Sequence, residues 1–172
     1  MVETTLNEQF LRECECFGCG TSNPNGLQLK VRLDPSDSER IVGRFTPSEA
    51  LIGFPGITHG GVVFTALDCM ATWAGMMLVE GPKALWLLRT AQVTYHRPAR
   101  EGEPLNLSAT IPKQAKLGAP QLVHNEARNE AGDLLVHGQY KIVPLTADKF
   151  KSVLAIDEMP QDWASWLNLP AS

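Results

Sequence analysis

The stretch at residues 62–79, VVFTALDCMATWAGMMLV, decides the fold of this chain. It has no proline and is rich in Ala, Leu and Met, so it predicts one helix that spans roughly 27 Å at 1.5 Å per residue. Apolar residues surround most of the helix, which indicates burial on several sides. A bilayer is the alternative environment, but Asp68 at the middle and the moderate length favour a core helix.

Segments with strand-like alternation flank this helix on both sides. Before it, Leu27, Leu29, Val31 and Leu33 alternate with polar residues, and residues 41–45 follow the turn cluster at 34–38, which predicts a hairpin. After it, strands are predicted at residues 84–97, 105–111, 121–129 and 134–143, the last two joined by a turn. This order predicts an α+β fold, with an antiparallel sheet of about six strands wrapped around one long central helix.

The length allows one well-buried domain and is short for two. We divide the 172 residues into a Cys-containing N-terminal segment (1–26), the sheet-and-helix domain (27–145) and a C-terminal helical tail (146–172). The composition, 44% hydrophobic and 20% charged, is that of an ordinary globular protein rather than a disordered or membrane-spanning one.

The net charge of the chain and its first fifteen residues indicate which partners and which cellular compartment to expect. Lys and Arg number 15 against 19 Asp and Glu, a formal charge of −4, so a nucleic-acid partner is not expected. Residues 1–15 contain four Glu and no apolar run, unlike a signal peptide. We therefore expect a cytoplasmic protein without a membrane partner.

Three of the four cysteines, Cys14, Cys16 and Cys19, lie within six positions, and Cys69 stands alone in the predicted helix. This is not a disulfide framework. A zinc site beginning at Cys16 and Cys19 would need Cys14 and a distant histidine to complete four ligands. A reduced, turn-forming segment is the favoured interpretation, so no metal and no cofactor are expected.

One face of the predicted helix collects its polar and small residues. At 3.6 residues per turn, a single stripe contains Gly61, Thr65, Asp68, Thr72 and Gly75. A carboxylate in an apolar helix is costly to bury without a partner. Asp68 is therefore either hydrogen-bonded to Thr65, Thr72 or a strand backbone, or it lies in a crevice and takes a proton from water.

The start of the helix offers a second chemical group. Gly60 and Gly61 should leave backbone N–H groups unsatisfied at the positive end of the helix dipole, where they can stabilise an oxyanion. Asp68 lies two turns further, roughly 10 Å along the axis, which is long for one substrate to span. We expect a dimer in which Asp68 of one subunit approaches the His59-Gly60-Gly61 turn of the other.

The ordered set of motifs resembles the hotdog-fold acyl-CoA thioesterases of the PaaI-like superfamily, over residues 14–145. The motifs are Cys16-Phe17-Gly18-Cys19-Gly20, Asn23-Pro24-x-Gly26-Leu27, Gly53-Phe54-Pro55-Gly56-Ile57-x-His59-Gly60-Gly61, Asp68 nine residues after His59, and Tyr95-x-Arg97-Pro98-Ala99. The resemblance implies the hotdog fold, a homodimer or homotetramer, and hydrolysis of an acyl-CoA thioester at a subunit interface.

The resemblance also implies roles for individual residues. Asp68 is the catalytic carboxylate, as general base or nucleophile, Gly60 and Gly61 supply the donor to the thioester carbonyl, and His59 positions that turn. Many relatives have Ser or Thr where Leu88 stands here, and Thr90, two residues on, is expected on the same strand face. Gly53 replaces an Asn or Gln of some relatives. The residues expected to contact substrate are Thr65, Thr72, Leu88, Thr90 and Arg97.

Other contacts and functions are left open by the sequence. Phosphates of CoA could meet Arg97, Arg100, Lys113 and Lys116, although exposed charge is usually solvated surface. Trp73, Met70 and Met76 could line the acyl chain, but core packing is favoured. The departures at Leu88 and Gly53 keep open a non-catalytic acyl-CoA-binding hotdog protein, and less favoured alternatives are a hotdog hydratase and a zinc-organised interaction module. The acyl group is not specified.

Overall fold

The structure, a computed structural model, describes residues 4–112 and 117–168. The helices are α1 (Leu6–Phe10), α2 (Gly60–Leu78), α3 (Ala147–Leu154) and α4 (Gln161–Trp166). The strands are β1 (Lys30–Asp34), β2 (Asp37–Phe45), β3 (Ile52–Phe54), β4 (Ile57–Thr58), β5 (Leu85–Tyr95), β6 (Leu105–Thr110), β7 (Gln121–Arg128) and β8 (Leu134–Leu145). Six strands form one antiparallel sheet in the order β1-β2-β6-β7-β8-β5, and β3 pairs with β4. The predicted α+β fold is confirmed.

Helix α2 lies against the sheet and forms the centre of the core. It begins two residues before the predicted start and ends at Leu78, where the chain turns at Gly81 with a φ of +122°. By length and composition α2 could cross a membrane, but Ala66, Leu67 and Met70 are completely buried within the protein. Trp73 and Met76 are buried as well, so core packing is the role of these apolar side chains.

The first hairpin starts later than the alternation predicts. Gln28 has a φ of +53°, which breaks the extended run, and the amides of Leu27 and Leu29 bond to the carbonyls of Phe17 and Gly18. Regular pairing begins at Lys30, opposite Arg44 of β2. The apolar side chains still point inward, since Leu27, Leu29 and Val31 are buried, but Leu33 at the strand end is 42% exposed.

The N-terminal segment packs onto the core. Thr5 and Glu8 form a capping box at the start of α1. The buried Asn7 side chain donates to the carbonyls of Cys19 and Leu29 at 2.8 and 3.0 Å and accepts from the Val31 amide at 2.9 Å. These bonds join α1, the cysteine-containing turn and the first strand into one layer.

The tail packs on α1. The Trp166 ring meets Phe10 edge-on at 5.0 Å, and its Nε1 donates to the Ala84 carbonyl at 3.2 Å. Trp163 contacts Phe150 of α3, with ring centroids 5.1 Å apart. Thr146 caps α3, the first helix of this tail.

Candidate active site

The loop before α2 fixes how that helix begins. The His59 amide bonds to the Leu51 carbonyl at 2.8 Å, and the His59 side chain caps the helix by accepting from the Gly61 amide at 3.0 Å. The prediction that both glycine N–H groups are unsatisfied is therefore wrong for Gly61, because the imidazole occupies it. The Gly60 N–H donates no hydrogen bond within the described residues.

A mostly apolar pocket of about 420 Å³ opens beside this helix start. His59 and Gly60 form one wall, and Phe54, Pro98 and Val136 contribute apolar surface. Phe54 is 74% exposed, so an apolar group bound in the pocket would bury its surface against the Phe54 ring. The pocket is large enough for an acyl group next to the Gly60 amide.

Asp68 lies two turns further along α2 and does not line this pocket. Its side chain is half-buried, and Oδ1 is buried without a hydrogen-bond partner. Thr65 and Thr72 donate instead to the helix carbonyls of Gly61 and Cys69, both at 2.9 Å. The alternative of an Asp68 held by these threonines is therefore excluded, and burial, with a contribution from Cys16, raises the pKa of Asp68 to about 6.

Two tyrosines for which the sequence predicted no role lie near these groups, Tyr140 near Asp68 and Tyr95 at the helix start. Tyr140 of β8 is fully buried, and its hydroxyl has no hydrogen-bond partner. Burial, and then the charges of Tyr95 and Asp68, raise the pKa of Tyr140 well above its usual range, so the hydroxyl is protonated and can donate. Tyr95 donates to the Gly60 carbonyl at 3.0 Å, which ties the end of β5 to the helix start. Tyr140 could have been found as the polar member of an inward-facing apolar series on β8.

A β-bulge changes which β5 side chains face the helix. Leu88 pairs with Ile142, but Thr90 pairs with Lys141, so the register shifts at Arg89. Partners in an antiparallel ladder share a face, and Ile142 is buried whereas Lys141 is exposed. Thr90 therefore points away from α2, and the prediction that it shares the face of Leu88 is wrong.

The cationic residues expected to meet phosphates divide into two groups. Arg97 lines the pocket and pairs with Asp133 at 2.9 Å, and both side chains are largely exposed. The Arg100 side chain is exposed, and its backbone forms an isolated antiparallel β-bridge with Ile57. Lys113 and Lys116 lie outside the described residues.

Three cysteines come together on the other side of Asp68. The sulfurs of Cys16, Cys19 and Cys69 all lie within 4.8 Å of one another. Among the described residues the cluster contains neither Cys14 nor a histidine, the two ligands that a zinc site was expected to need beside Cys16 and Cys19. Cys69 belongs to α2 and was not linked to the Cys16-x-x-Cys19 pair by sequence spacing.

Comparisons with known proteins agree on the fold. The sequence profile of the thioesterase superfamily matches residues 55–117, and no curated protein matches the chain. A thioesterase from Haemophilus influenzae superposes with a TM-score of 0.61 at 18% identity, over 74% of this chain and 86% of that one. The PaaI protein from the phenylacetic acid degradation operon of E. coli gives 0.59 at 16% identity, over 70% and 81%.

A third solved structure was determined with a ligand. It is a hypothetical thioesterase from Streptococcus pneumoniae with coenzyme A, and it superposes with a TM-score of 0.56 at 12% identity, over 67% of this chain and 88% of that one. At these identities the likeness shows the hotdog fold. The resemblance drawn from the sequence motifs is confirmed for the hotdog fold and, over residues 55–117, for the thioesterase superfamily.

Proposed function

We propose that this chain, which has the fold of the hotdog thioesterases, is a cytoplasmic enzyme that hydrolyses an acyl-CoA thioester to CoA and a carboxylic acid. The observation that carries the proposal is Asp68, a half-buried carboxylate whose Oδ1 has no hydrogen-bond partner in the middle of an apolar helix. An unpaired buried carboxylate lowers stability, so its presence favours a chemical role.

The site is proposed to form between two copies of the chain. Within one chain the pocket at His59 and Gly60 does not include Asp68. The stripe of α2 that carries Thr65, Asp68 and Thr72 is only half-buried, and the adjacent β5 is an edge strand of eleven residues. A second copy pairing along β5 would cover that stripe and bring its own helix start towards Asp68.

In the proposed reaction, the thioester carbonyl accepts a hydrogen bond from the Gly60 N–H at the positive end of α2. Asp68 of the other copy acts as general base on water or as nucleophile. With water as nucleophile, its oxygen bonds to the carbonyl carbon, Asp68 takes the proton, and the C–S bond breaks. The proton then goes to the CoA thiolate.

Tyr140 is proposed to supply the hydroxyl that Thr90 cannot. Its hydroxyl is buried and has no hydrogen-bond partner, and the Asp68 charge contributes to its raised pKa. A water bound to both groups would satisfy two orphaned oxygens and would be oriented for attack.

The test is release of free thiol from a panel of acyl-CoAs that covers short, long and aromatic acyl groups. We expect Asp68→Asn to abolish turnover of the best substrate while the protein stays folded, because the amide cannot accept a proton. Asp157→Asn, an exposed carboxylate in the tail, is the matched control and should retain the native rate. Equal rates for Asp68→Asn and the native protein would refute the central role of Asp68.

A second variant tests the Gly60 amide. Proline is favoured at the first position of a helix, and His59, with a ψ of 129°, already has the extended conformation that precedes proline. Gly60→Pro should therefore keep the helix start, with a shift of a few tenths of an ångström in Tyr95, whose Cε1 would lie 3.3 Å from the added Cβ. It removes the N–H, and kcat should fall about 10²–10³-fold. A rate near that of the native protein would exclude this donor.

The alternative function is an acyl-CoA-binding protein without turnover. It is favoured by the bulge at Arg89, which leaves β5 with no hydroxyl facing α2 at positions 88–91. This alternative predicts saturable acyl-CoA binding and no thiol release from any member of the panel.

A further inference from the structure

The Cys16-Cys19-Cys69 cluster has the geometry of a metal site. Cys16 and Cys19 come from a turn in the N-terminal segment, and Cys69 comes from the middle of α2. The Cys16 and Cys69 sulfurs are 3.8 Å apart, and all three sulfurs lie within 4.8 Å of one another. A tetrahedral zinc ion with bonds of about 2.3 Å holds its thiolate ligands about 3.8 Å apart, so the observed spacing fits such an ion.

An N–H donor lies against the sulfur cluster. The indole N–H of Trp73, a buried residue of α2, donates to the Cys19 sulfur at 3.4 Å. Donors of this kind surround the thiolates of metal sites and orient them towards the ion. All three cysteines are free thiols, so each is available as a ligand.

We propose that Cys16, Cys19 and Cys69 bind one zinc ion as three thiolate ligands, with the fourth position open on the side of the partly exposed Cys16. The Cys-x-x-Cys spacing is that of structural zinc sites, and sulfur donors select zinc over hard cations such as magnesium. Binding replaces the thiol protons, which pass to solvent, and it needs no oxidant or reductant.

The site would join two parts of the chain that are distant in sequence. Cys69 follows Asp68 directly, and the turn at residues 16–20 packs on α2, where Gly18 lies against Thr65 and Cys69. Zinc would therefore clamp the N-terminal segment over α2 next to the proposed catalytic carboxylate. Because a metal that binds only the folded state raises the free energy of unfolding, the clamp would also stabilise the protein.

The test is the metal content of the full-length protein, purified under reducing conditions and measured by mass spectrometry after exposure to zinc and removal of the unbound ion. We expect one zinc per chain, and loss of that zinc in Cys16→Ala and Cys69→Ala. Cys14→Ala is the matched control, because Cys14 is a buried thiol of the same turn that lies outside the cluster. It should retain the metal.

Cobalt substitution gives a readout that does not depend on activity or on the stability of a variant. The native protein and Cys14→Ala should develop a thiolate-to-cobalt charge-transfer band, which Cys16→Ala should lose or weaken. Folded native protein without stoichiometric zinc or a cobalt band would overturn the proposal, as would a disulfide between Cys16 and Cys69 or equal zinc loss in all three variants. Zinc content is measured without substrate, so its outcome is separate from that of the proposed hydrolysis.

Discussion

Asp68 and Tyr140 each keep a buried oxygen without a hydrogen-bond partner, although Thr65 and Thr72 lie one turn away on the same helix. A polar atom left in this state lowers stability by about 1–3 kcal/mol. The threonine hydroxyls bond to backbone carbonyls of α2 and are not available to relieve it. The two oxygens therefore mark positions where the protein itself supplies no hydrogen-bond partner.

The first prediction distinguishes the contribution of the Tyr140 hydroxyl to protein stability from its contribution to catalysis. In Tyr140→Phe no hydrogen bond is lost, and the ring contact with Phe64 at 5.6 Å remains. The free energy of unfolding in urea should stay unchanged or rise by up to about 1 kcal/mol, because an unsatisfied buried hydroxyl is removed. Thiol release should fall about 10²-fold if the hydroxyl orients the attacking water.

The result that would contradict this assignment is a native rate in Tyr140→Phe with unchanged stability. A large loss of stability in Tyr140→Phe would show that the Tyr140 hydroxyl has a hydrogen-bond partner in the folded protein.

At the scale of elements, the close contact between α2 and the sheet depends on glycine. A Cβ added at Gly75 would approach the Trp86 ring within 2.7 Å and the Ile142 side chain within 2.6 Å. Trp86 is rigid and buried, so it cannot move away as a flexible side chain could. Gly75 therefore sets how near the helix can lie to β5 and β8.

The second prediction follows from two opposing effects at this position. Gly75→Ala should gain about 1 kcal/mol from helix propensity and lose about 1–3 kcal/mol from overpacking. We expect a net destabilisation of about 1 kcal/mol in urea unfolding. The Trp86→Leu substitution should relieve the clash with the ring. Gly75→Ala should therefore cost less stability in the Trp86→Leu background than in the native protein. Stabilisation by Gly75→Ala alone would show that the contact is loose.

The third prediction concerns pH and the capping box of α1. The Thr5 amide and hydroxyl donate to Glu8 at 2.9 and 2.7 Å, and Lys30 adds an ion pair at 3.3 Å. These contacts lower the pKa of Glu8 to about 2 from its ordinary value of 4.5. A lowered folded-state pKa stabilises the protein above the unfolded pKa, and this stabilisation is lost as the pH falls towards 2.

Glu8→Gln should therefore be less stable than the native protein near neutral pH, and the difference should vanish between about pH 4.5 and 2. Because the carboxylate is partly exposed and screened by solvent, we expect less than about 1 kcal/mol. Urea unfolding of both proteins across this range measures the difference. A difference independent of pH would exclude the ionised carboxylate as its cause.

The elements that the sequence predicted are those with a strong local pattern. Helix α2 and the hairpin of β7 and β8 are close to their predicted bounds because apolar periodicity and turn residues specify them locally. The bulge at Arg89 was missed because apolar and polar residues alternate weakly along β5. The positive φ of Gln28 was missed because contacts with residues 17 and 18 impose it.

At the scale of the whole molecule, the candidate site is divided. Asp68 and His59 were predicted from motifs, but Tyr140 and Cys16 join the surroundings of Asp68 only through tertiary packing. The pocket beside Gly60 and the half-buried face of α2 both lie near the edge strand β5. The proposed site thus needs a second subunit, and the position of that subunit cannot be predicted from the sequence of one chain.

The fourth prediction tests this division by complementation. Asp68→Asn and Gly60→Pro are each expected to be inactive, but a mixed dimer contains one site with native Asp68 and native Gly60. Unfolding and refolding an equal mixture should restore roughly a quarter of the native activity, since half of random dimers are mixed and each has one native site. Size-exclusion chromatography with light scattering checks the dimer. Activity that stays at the level of the separate variants would contradict a shared site.

The strand order also has a consequence for synthesis of the chain. β5 leaves the ribosome before β6, β7 and β8, yet within the six-stranded sheet its only neighbour is β8. At about 5–20 residues per second, the fifty or so residues between the end of β5 and the end of β8 take roughly 3–10 s to make. During that time the apolar surface of α2 and the backbone of β5 are uncovered on the nascent chain, so this interval is when the protein most needs a chaperone.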